Sequence, residues 1–223
     1  MATERSTAEP RAYVSSIGRL RMLAGDPALD FANTLHWRGG REVDFLPDYR
    51  SLVGWSGPAG LLSEDEMRLL ADLAPTVPKG AEAAHAAAIA LRSAWRDSLS
   101  ARTGGDPMLA RRRGSESGLE RLLASALADP RLLISANAPA DGHPAQVLLL
   151  PVARVALAIA SLALIPGDRK LGRCEGDPCG GFFLNTSRSK PRRWCAMDSC
   201  GNRAKARGFR SRLVAEAVDT PDR

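Results

Sequence analysis

Apolar and polar positions follow the period of an α-helix through much of the first 165 residues. The first helical segment opens at Asp26-Pro27, because aspartate caps helix N-termini and proline suits the first turn. The continuation ALDFANTLHW places apolar side chains along one stripe and predicts a helix that two glycines end. A second, largely polar stripe lies at i, i+3, i+4 and i+7 and consists of Asp30, Asn33, Thr34 and Trp37.

Local signals predict further helices along the same region. Ser63 and Glu66 form a capping-box pattern before an apolar run, which predicts a helix to about Ala74. The alanine-rich residues 81–100 predict a longer helix. A helical turn at residues 49–55 and a helix at residues 109–128, interrupted at 111–118, complete this set.

Two apolar runs near residue 140 and the long apolar segment after them predict a hairpin followed by a core helix. RLLISA at 131–136 and QVLLL at 146–150 are typical of strands, and the loop between them is rich in Asn, Pro and Gly. The core helix is expected at 151–165.

Residues 147–165 are also long enough to cross a membrane. Pro151 and a central Arg154 oppose that interpretation, since a central arginine costs about 2.5–3.5 kcal/mol on insertion. We expect no membrane contact.

The four cysteines of the chain lie within one short stretch, with the pattern C-x4-C-x15-C-x4-C. Two close pairs separated by a loop can converge on one tetrahedral ion, and four thiolates at about 2.3 Å form a closed, structural zinc site. Two disulfides or four ordinary buried thiols are the alternatives. The pattern predicts Zn²⁺ as cofactor, with the ligands Cys174, Cys179, Cys195 and Cys200.

Positive charge is concentrated around these cysteines. The formal net charge of the chain is +6. Residues 170–212 hold eleven Lys and Arg but three acids, so the rest of the chain is slightly negative. A basic surface of this kind favours a polyanionic partner.

The predicted fold class is α+β. A predominantly helical N-terminal domain with a small β hairpin or sheet occupies 18–168, after a disordered segment at 1–17. A small four-cysteine zinc-finger module with a short hairpin and a basic helix occupies 169–216, followed by a tail at 217–223. The first ten residues lack the apolar run of a signal peptide, so we expect a cytoplasmic protein.

The cysteine-rich segment resembles the CGNR zinc finger family. The resemblance covers about 40 residues and depends on two cysteines, an aromatic strand, a Ser-Arg turn, Arg-Arg-Trp-Cys and then Cys-Gly-Asn-Arg before a basic helix. The first pair differs from the family's commoner C-x2-C spacing. The matching positions are Phe182, Phe183, Ser187, Arg188, Arg192, Arg193, Trp194, Cys195, Cys200, Gly201, Asn202, Arg203 and Lys205.

The preceding region is similar to the ABATE domain. LDFANTLHWR, GWSGPAGLLS and the helical middle carry this similarity over most of residues 20–165. ABATE domains precede CGNR fingers in bacterial proteins predicted to be stress-induced transcription regulators. The two resemblances imply DNA binding by the finger and an N-terminal domain that senses a small-molecule effector or a partner.

The basic segment supplies the candidate DNA contacts. Neutralising six phosphates would give a salt slope of about −5. A protein-interaction or RNA-binding module is the alternative, in which Phe182 and Phe183 could stack on bases. A single finger has a small footprint, so a homodimer is expected. The candidate contacts are Arg188, Lys190, Arg192, Arg193, Asn202, Arg203, Lys205, Arg207, Arg210 and Arg212.

The N-terminal domain offers one candidate ligand site and no catalytic pattern. No Ser/His/Asp spacing, phosphate-binding glycine loop or H-E-x-x-H motif occurs, so no enzyme activity is expected. The polar side chains on the Asp30 stripe of the first helix are the candidates for this site. They could instead form a network that caps the helix, and we favour that role. The candidate ligand-binding residues are Asp30, Asn33, Thr34, Trp37 and Arg38.

Overall fold

The computed structural model describes residues 22–38, 41–104, 115–134, 143–164, 170–187 and 190–218. Short 3₁₀ and π-helical turns lie at Ala74–Thr76 and Met197–Gly201. The strands are β1 (Leu35–Arg38), β2 (Arg41–Asp44), β3 (Lys170–Arg173) and β4 (Phe182–Asn185). The α-helices are α1 (Pro27–Ala32), α2 (Tyr49–Ser56), α3 (Glu64–Leu73), α4 (Pro78–Arg102), α5 (Ser115–Ala126), α6 (Arg131–Ile134), α7 (Pro144–Val147), α8 (Leu150–Leu164) and α9 (Asn202–Val218).

Helix α1 begins as predicted but ends earlier. Asp26 caps it by accepting a hydrogen bond from the Ala28 amide at 2.9 Å. Thr34 then donates its hydroxyl to the Phe31 carbonyl at 2.7 Å, and its own carbonyl accepts the Phe45 amide at 2.8 Å. The predicted helix to Trp37 is therefore wrong, because residues 35–38 pair with β2 in an antiparallel hairpin.

A buried arginine holds this hairpin against the helices. Arg92 on α4 donates to both carboxylate oxygens of Asp44, at 2.7 and 2.6 Å, and to the Thr34 hydroxyl at 3.0 Å. One turn later Arg96 donates to the carbonyls of Ala32 and Leu35. The bond to Ala32 satisfies a carbonyl that α1 leaves unpaired at its end. Tertiary contacts thus replace the helical continuation that local periodicity predicted.

The capping signals of the next helices are confirmed. The Ser63 amide donates to Glu66 at 2.8 Å, and the Glu66 amide donates to the Ser63 hydroxyl at 3.2 Å. Glu66 also accepts a hydrogen bond from Arg154 on α8 at 3.1 Å. The helix predicted at 81–100 is α4, whose Trp95 is buried and donates to the Ala28 carbonyl at 2.9 Å. The helix predicted at 109–128 is present as α5, and residues 105–114 lie outside the described residues.

The predicted hairpin of 131–136 with 146–150 is wrong. The structure has the short helices α6 and α7 there, and residues 135–142 lie outside the described part. Asp129 accepts the Arg131 amide at 3.1 Å, and the His143 carbonyl accepts the Gln146 amide at 2.8 Å, so each turn is closed locally. Apolar side chains of this region enter the common hydrophobic core, among them Leu132, Val147 and Leu148.

Helix α8 is the predicted core helix. Its buried side chains pack among those of α1, α4, α5 and α6. Within the described residues, Pro144–Leu164 has the length and composition of a membrane span, and 56% of its most apolar window is buried inside the protein. That burial fits a core helix.

The second hairpin joins the C-terminal module to the helical core. β3 pairs antiparallel with β4, with Arg173 opposite Phe182. Alternate residues of β4 point to opposite faces, and Phe182 and Leu184 belong to the main hydrophobic core. Phe183, on the other face, packs with the cysteines. The predicted domain limit at residue 168 stays a prediction, and the core extends past it to β4.

Candidate metal centre

The fold brings the four cysteines together. Their sulfur atoms all lie within 4.8 Å of one another. Cys195 Sγ is 3.7 Å from Cys179 Sγ and 3.6 Å from Cys200 Sγ. Four sulfurs placed tetrahedrally at about 2.3 Å from one Zn²⁺ would be about 3.8 Å apart. The donor set and its spacing therefore fit zinc.

Backbone and side-chain donors surround the sulfurs. The amides of Gly176 and Cys195 donate to Cys174 Sγ at 3.4 and 3.3 Å. Arg203 Nη2 donates to Cys200 Sγ at 2.9 Å. Such donors orient metal ligands and stabilise their thiolate form.

The thiols influence one another's ionisation. Hydrogen bonds from the thiols of Cys179 and Cys195 lower the pKa of Cys174 to about 2. The bond to Cys174 in turn raises the pKa of Cys179 to about 12 and raises the pKa of Cys195. One thiolate at this distance thus keeps its neighbours protonated. A bound cation removes this conflict, because it stabilises all four thiolates together.

The first knuckle needs glycine at two positions. Gly180 has a φ of +60°, a conformation that side chains disfavour. A Cβ on Gly176 would lie 2.9 Å from the Cβ of Cys200. The backbone of the first pair therefore passes directly against the second pair. The four-residue spacing of the first pair forms a compact knuckle.

The N-terminal domain reaches the metal centre through Asn33. Its side-chain amide donates to the Phe182 carbonyl at 2.8 Å and accepts the Phe182 amide at 2.9 Å. Beside this contact, the Leu184 amide donates to the Ala24 carbonyl at 2.8 Å. Nε2 of His36 lies 3.9 Å from Cys179 Sγ. Residues about 150 positions apart in sequence thus form one interface, which no local pattern could show.

A cavity of about 380 Å³ lies at this interface, between α4 and the first knuckle. Arg96 and Arg173 line it together with Cys174 and Cys179. Burial, together with the positive charges of Arg92 and Arg173, lowers the pKa of Arg96. Four thiolates around one Zn²⁺ carry a net negative charge. The guanidinium groups of Arg96 and Arg173 lie beside the thiolates and offset that charge.

Comparisons with known families agree with this geometry. Residues 25–163, more than half of the chain, match the ABATE model, described as "Putative stress-induced transcription regulator". This chain belongs to the ABATE family. Residues 170–213 match the CGNR zinc finger, so the cofactor of the four-cysteine site is zinc. No curated protein and no solved structure matches the chain.

Several candidate DNA contacts of the CGNR finger are engaged within the protein. Arg192 donates to the Leu184 carbonyl at 2.8 Å and lies over the Phe183 ring. Arg193 pairs with Glu175 at 2.6 Å. Arg207 donates to the Asp177 carbonyl at 2.7 Å, and Arg203 binds sulfur as described above. Arg188 lies outside the described residues.

The remaining candidates are exposed. Within the described residues, the structure gives their side chains no hydrogen bond or ion pair. They are Lys190, Asn202, Lys205, Arg210 and Arg212. By contrast, Phe182 and Phe183 are 1% and 0% exposed, so the hypothesis that they stack on bases is wrong. Phe209, which is not among the sequence candidates, is 55% exposed. The sequence feature that could have identified it is an aromatic residue within a basic helix.

The candidate ligand-binding residues of the ABATE domain do not form one stripe. Trp37 and Arg38 lie in β1, so the helical register that grouped Trp37 with the others is wrong. Asp30 accepts the amides of Leu23 and Ala24 at 3.1 Å. Asn33 and Thr34 are held by Phe182 and Arg92, respectively. Of these side chains, Thr34 bonds the end of α1 through the Phe31 carbonyl, as the capping role that we favoured requires, whereas Asp30 and Asn33 bond other segments.

We expect Asp30 to make stability depend on pH. Burial raises its pKa to about 6, and the charge of Asp26 adds to this effect. The folded chain therefore keeps this proton up to about pH 6, whereas the unfolded chain loses it near 3.8. The free energy of unfolding should fall by about 2 kcal/mol as pH rises through this interval.

Urea unfolding of wild type and Asp30→Asn at pH 4.5 and 7 tests this expectation. The amide oxygen can still accept both backbone bonds, so the variant should be more stable than wild type at pH 7 and lose the advantage at low pH. Zinc dissociation in acid affects both proteins alike, so their difference isolates Asp30. Equal pH profiles would contradict the prediction.

Proposed function

We propose that this protein is a DNA-binding transcription regulator whose CGNR finger contacts duplex DNA. The observation that carries this proposal is the exposed positive charge of helix α9. Between Asn202 and Leu213 it holds five Lys and Arg and no acid, and residues 205–213 are all exposed. Phosphate contacts dominate the affinity of proteins for DNA, and they require cations that are free to reach the backbone.

The proposed contacts are the exposed members of the basic segment. Lys190, Lys205, Arg210 and Arg212 would bind phosphates, and the Asn202 amide would reach a base edge. The zinc site has a structural role in this proposal, since four sulfur ligands leave no position for a substrate. Zinc holds the two knuckles together and so orients α9.

In this proposal the ABATE domain receives the signal, from a small-molecule effector or a partner. The contact of Asn33 with Phe182 supports a direct connection, because a displacement of α1 would move β4. The packing of Phe182 and Leu184 in the ABATE core supports it further. A homodimer that binds two half-sites remains our prediction.

The salt dependence of binding tests the proposal. The zinc-loaded full chain should bind random-sequence duplexes of about 20 bp at about 50 mM salt. If four cations reach phosphates, affinity should fall about 100-fold by about 200 mM salt, with a slope between about −3 and −4. Fluorescence anisotropy of a labelled duplex measures both quantities.

Two comparisons make this experiment decisive. A Cys195→Ser, Cys200→Ser chain should lose the affinity, because it cannot hold α9 in place. Absence of binding at about 50 mM salt, or affinity that does not depend on salt, would refute the proposal. A clear preference for single-stranded RNA over duplex DNA would favour the alternative RNA-binding module.

A further inference from the structure

Residues 202–213 of α9 lie largely outside the packed body of the protein. Its first turn follows the π-helical turn that contains Cys200. Arg203 and Arg207 then tie it to the finger by hydrogen bonds to Cys200 Sγ and the Asp177 carbonyl. Most helical stability in proteins comes from tertiary packing, so a partner that covers α9 would increase its stability.

The contacts of α9 define an inner and an outer face. Arg203 and Arg207 are one turn apart, and both bind groups of the finger. Arg210 follows on the same side, because successive residues are rotated by about 100°. This inner face contacts the knuckles at Arg203 and Arg207 and continues beyond them to Arg210, which is exposed.

The outer face combines an amide, an aromatic ring and two cations. At i, i+3, i+7 and i+10 it carries Asn202, Lys205, Phe209 and Arg212. All four side chains are exposed. The phenyl ring of Phe209, 55% exposed, lies between the two cations along the helix. Leu213, 48% exposed and one turn later, extends the ring into an apolar patch on a charged helix, and such patches mark binding surfaces.

We infer that this outer face is the surface that enters the major groove of duplex DNA and selects its sequence. This inference rests on the proposed function and names the residues that carry its specificity. An asparagine amide pairs with the N6 and N7 edge of adenine, and an apolar side chain contacts the thymine methyl group. Lys205 and Arg212, on either side of the ring, bind the flanking phosphates.

Charge decides between DNA and a second copy of the chain as the occupant. Phe209 and Leu213, one turn apart, could pack against the same pair in another molecule, and Leu213 is 48% exposed. The two cations of the outer face, Lys205 and Arg212, would then face the same two side chains of the other molecule. Like charges in close contact disfavour that pairing, whereas a phosphate backbone neutralises them.

Selection of binding sites from a random duplex pool, followed by affinity measurements, tests the inference. The zinc-loaded wild-type chain should bind its selected duplex at least about 100-fold more tightly than the random pool. Phe209→Ala and Asn202→Ala should lower the affinity for the selected duplex about tenfold or more, and change the affinity for the random pool less than about twofold.

Arg210→Ala and Arg212→Ala are the matched pair for the two faces. Each removes one charge from the same helix, and each should weaken binding to the random pool. Since both side chains are proposed to bind phosphates, we expect each variant to keep the preference for the selected duplex and to lower the salt slope by about 1. Equal loss of preference in Phe209→Ala and Arg210→Ala would overturn the assignment of the outer face.

The remaining outcomes separate this inference from the function on which it rests. A wild-type chain that does not bind the random pool at about 50 mM salt overturns both. Wild-type binding with full sequence preference retained in Phe209→Ala and Asn202→Ala overturns only the outer-face inference. Sedimentation that shows a dimer converted to a monomer by Phe209→Ala assigns the face to a second copy of the chain.

Discussion

Removing zinc should destabilise the whole chain and not the CGNR finger alone. Metal binding supplies about 10–16 kcal/mol to comparable four-ligand sites at neutral pH. Strand β4 connects that site to the ABATE core, where Phe182 and Leu184 are buried. We therefore expect Cys195→Ser, Cys200→Ser to lose zinc and to lower the Tm of the helical transition on the order of 10 °C.

Circular dichroism at a helical wavelength measures this effect, because the described helices before residue 165 supply most of that signal. A chelator should lower the Tm of wild type to that of the double variant. The same chelator should leave the double variant unchanged, which serves as the internal control. A helical transition that is insensitive to the chelator would show that the two parts unfold independently.

Truncating Phe182 should strongly destabilise both the finger and the ABATE domain. Its side chain is 1% exposed, and Arg96 lies over its ring at 5.7 Å. Replacement by alanine leaves a cavity in the shared core, and buried phenylalanines typically cost about 3–5 kcal/mol on such a change. The expected loss in the free energy of unfolding is therefore about 3–5 kcal/mol.

Denaturant unfolding followed by two probes checks this prediction. Helical circular dichroism reports the ABATE domain, and zinc released to a coloured chelator reports the finger. Both midpoints should move together in Phe182→Ala. Phe209→Ala is the matched control, since the same substitution on the exposed helix should change stability by less than about 0.5 kcal/mol. A cost below about 1 kcal/mol for Phe182→Ala would contradict the shared core.

Elements with strong local signals could be predicted from the sequence. The Ser63–Glu66 capping box, the alanine-rich α4 and the Asp26 cap all act within one turn of the chain, so the structure confirms them. The four cysteines belong to the same class. Their spacing forms two knuckles, each with two cysteines. Few arrangements of two knuckles place four sulfurs tetrahedrally around one ion, so the spacing predicts the ligands.

Elements with ambiguous signals needed the tertiary structure. The run LHWR continues a helical period, but pairing with β2 and the carbonyl contacts of Arg96 make it a strand. The runs at 131–134 and 146–148 are apolar enough for strands. No partner strand adjoins them within the described residues, and their backbone bonds close locally as helical turns. Short apolar runs fit both periods, so packing decides between them.

The role of each polar residue in the candidate sites also depended on the fold. The nine basic candidates of the finger were equivalent by charge alone. Among those that the structure describes, it separates the side chains that bind sulfur, carbonyls or carboxylates from those that face solvent. Asn33 was a candidate ligand contact by its position on a stripe. Its two bonds with Phe182 assign it to the interface instead.

The sequence by itself thus determined three features: the helical character of the N-terminal domain, the zinc ligands, and the concentration of positive charge around those ligands. Each of these features depends on residues that lie close together in the chain. Only the tertiary structure decided that the finger shares a core with the ABATE domain and that α9 has an inner and an outer face. Both features arise from contacts between residues such as Asn33 and Phe182, whose separation along the chain leaves no local pattern.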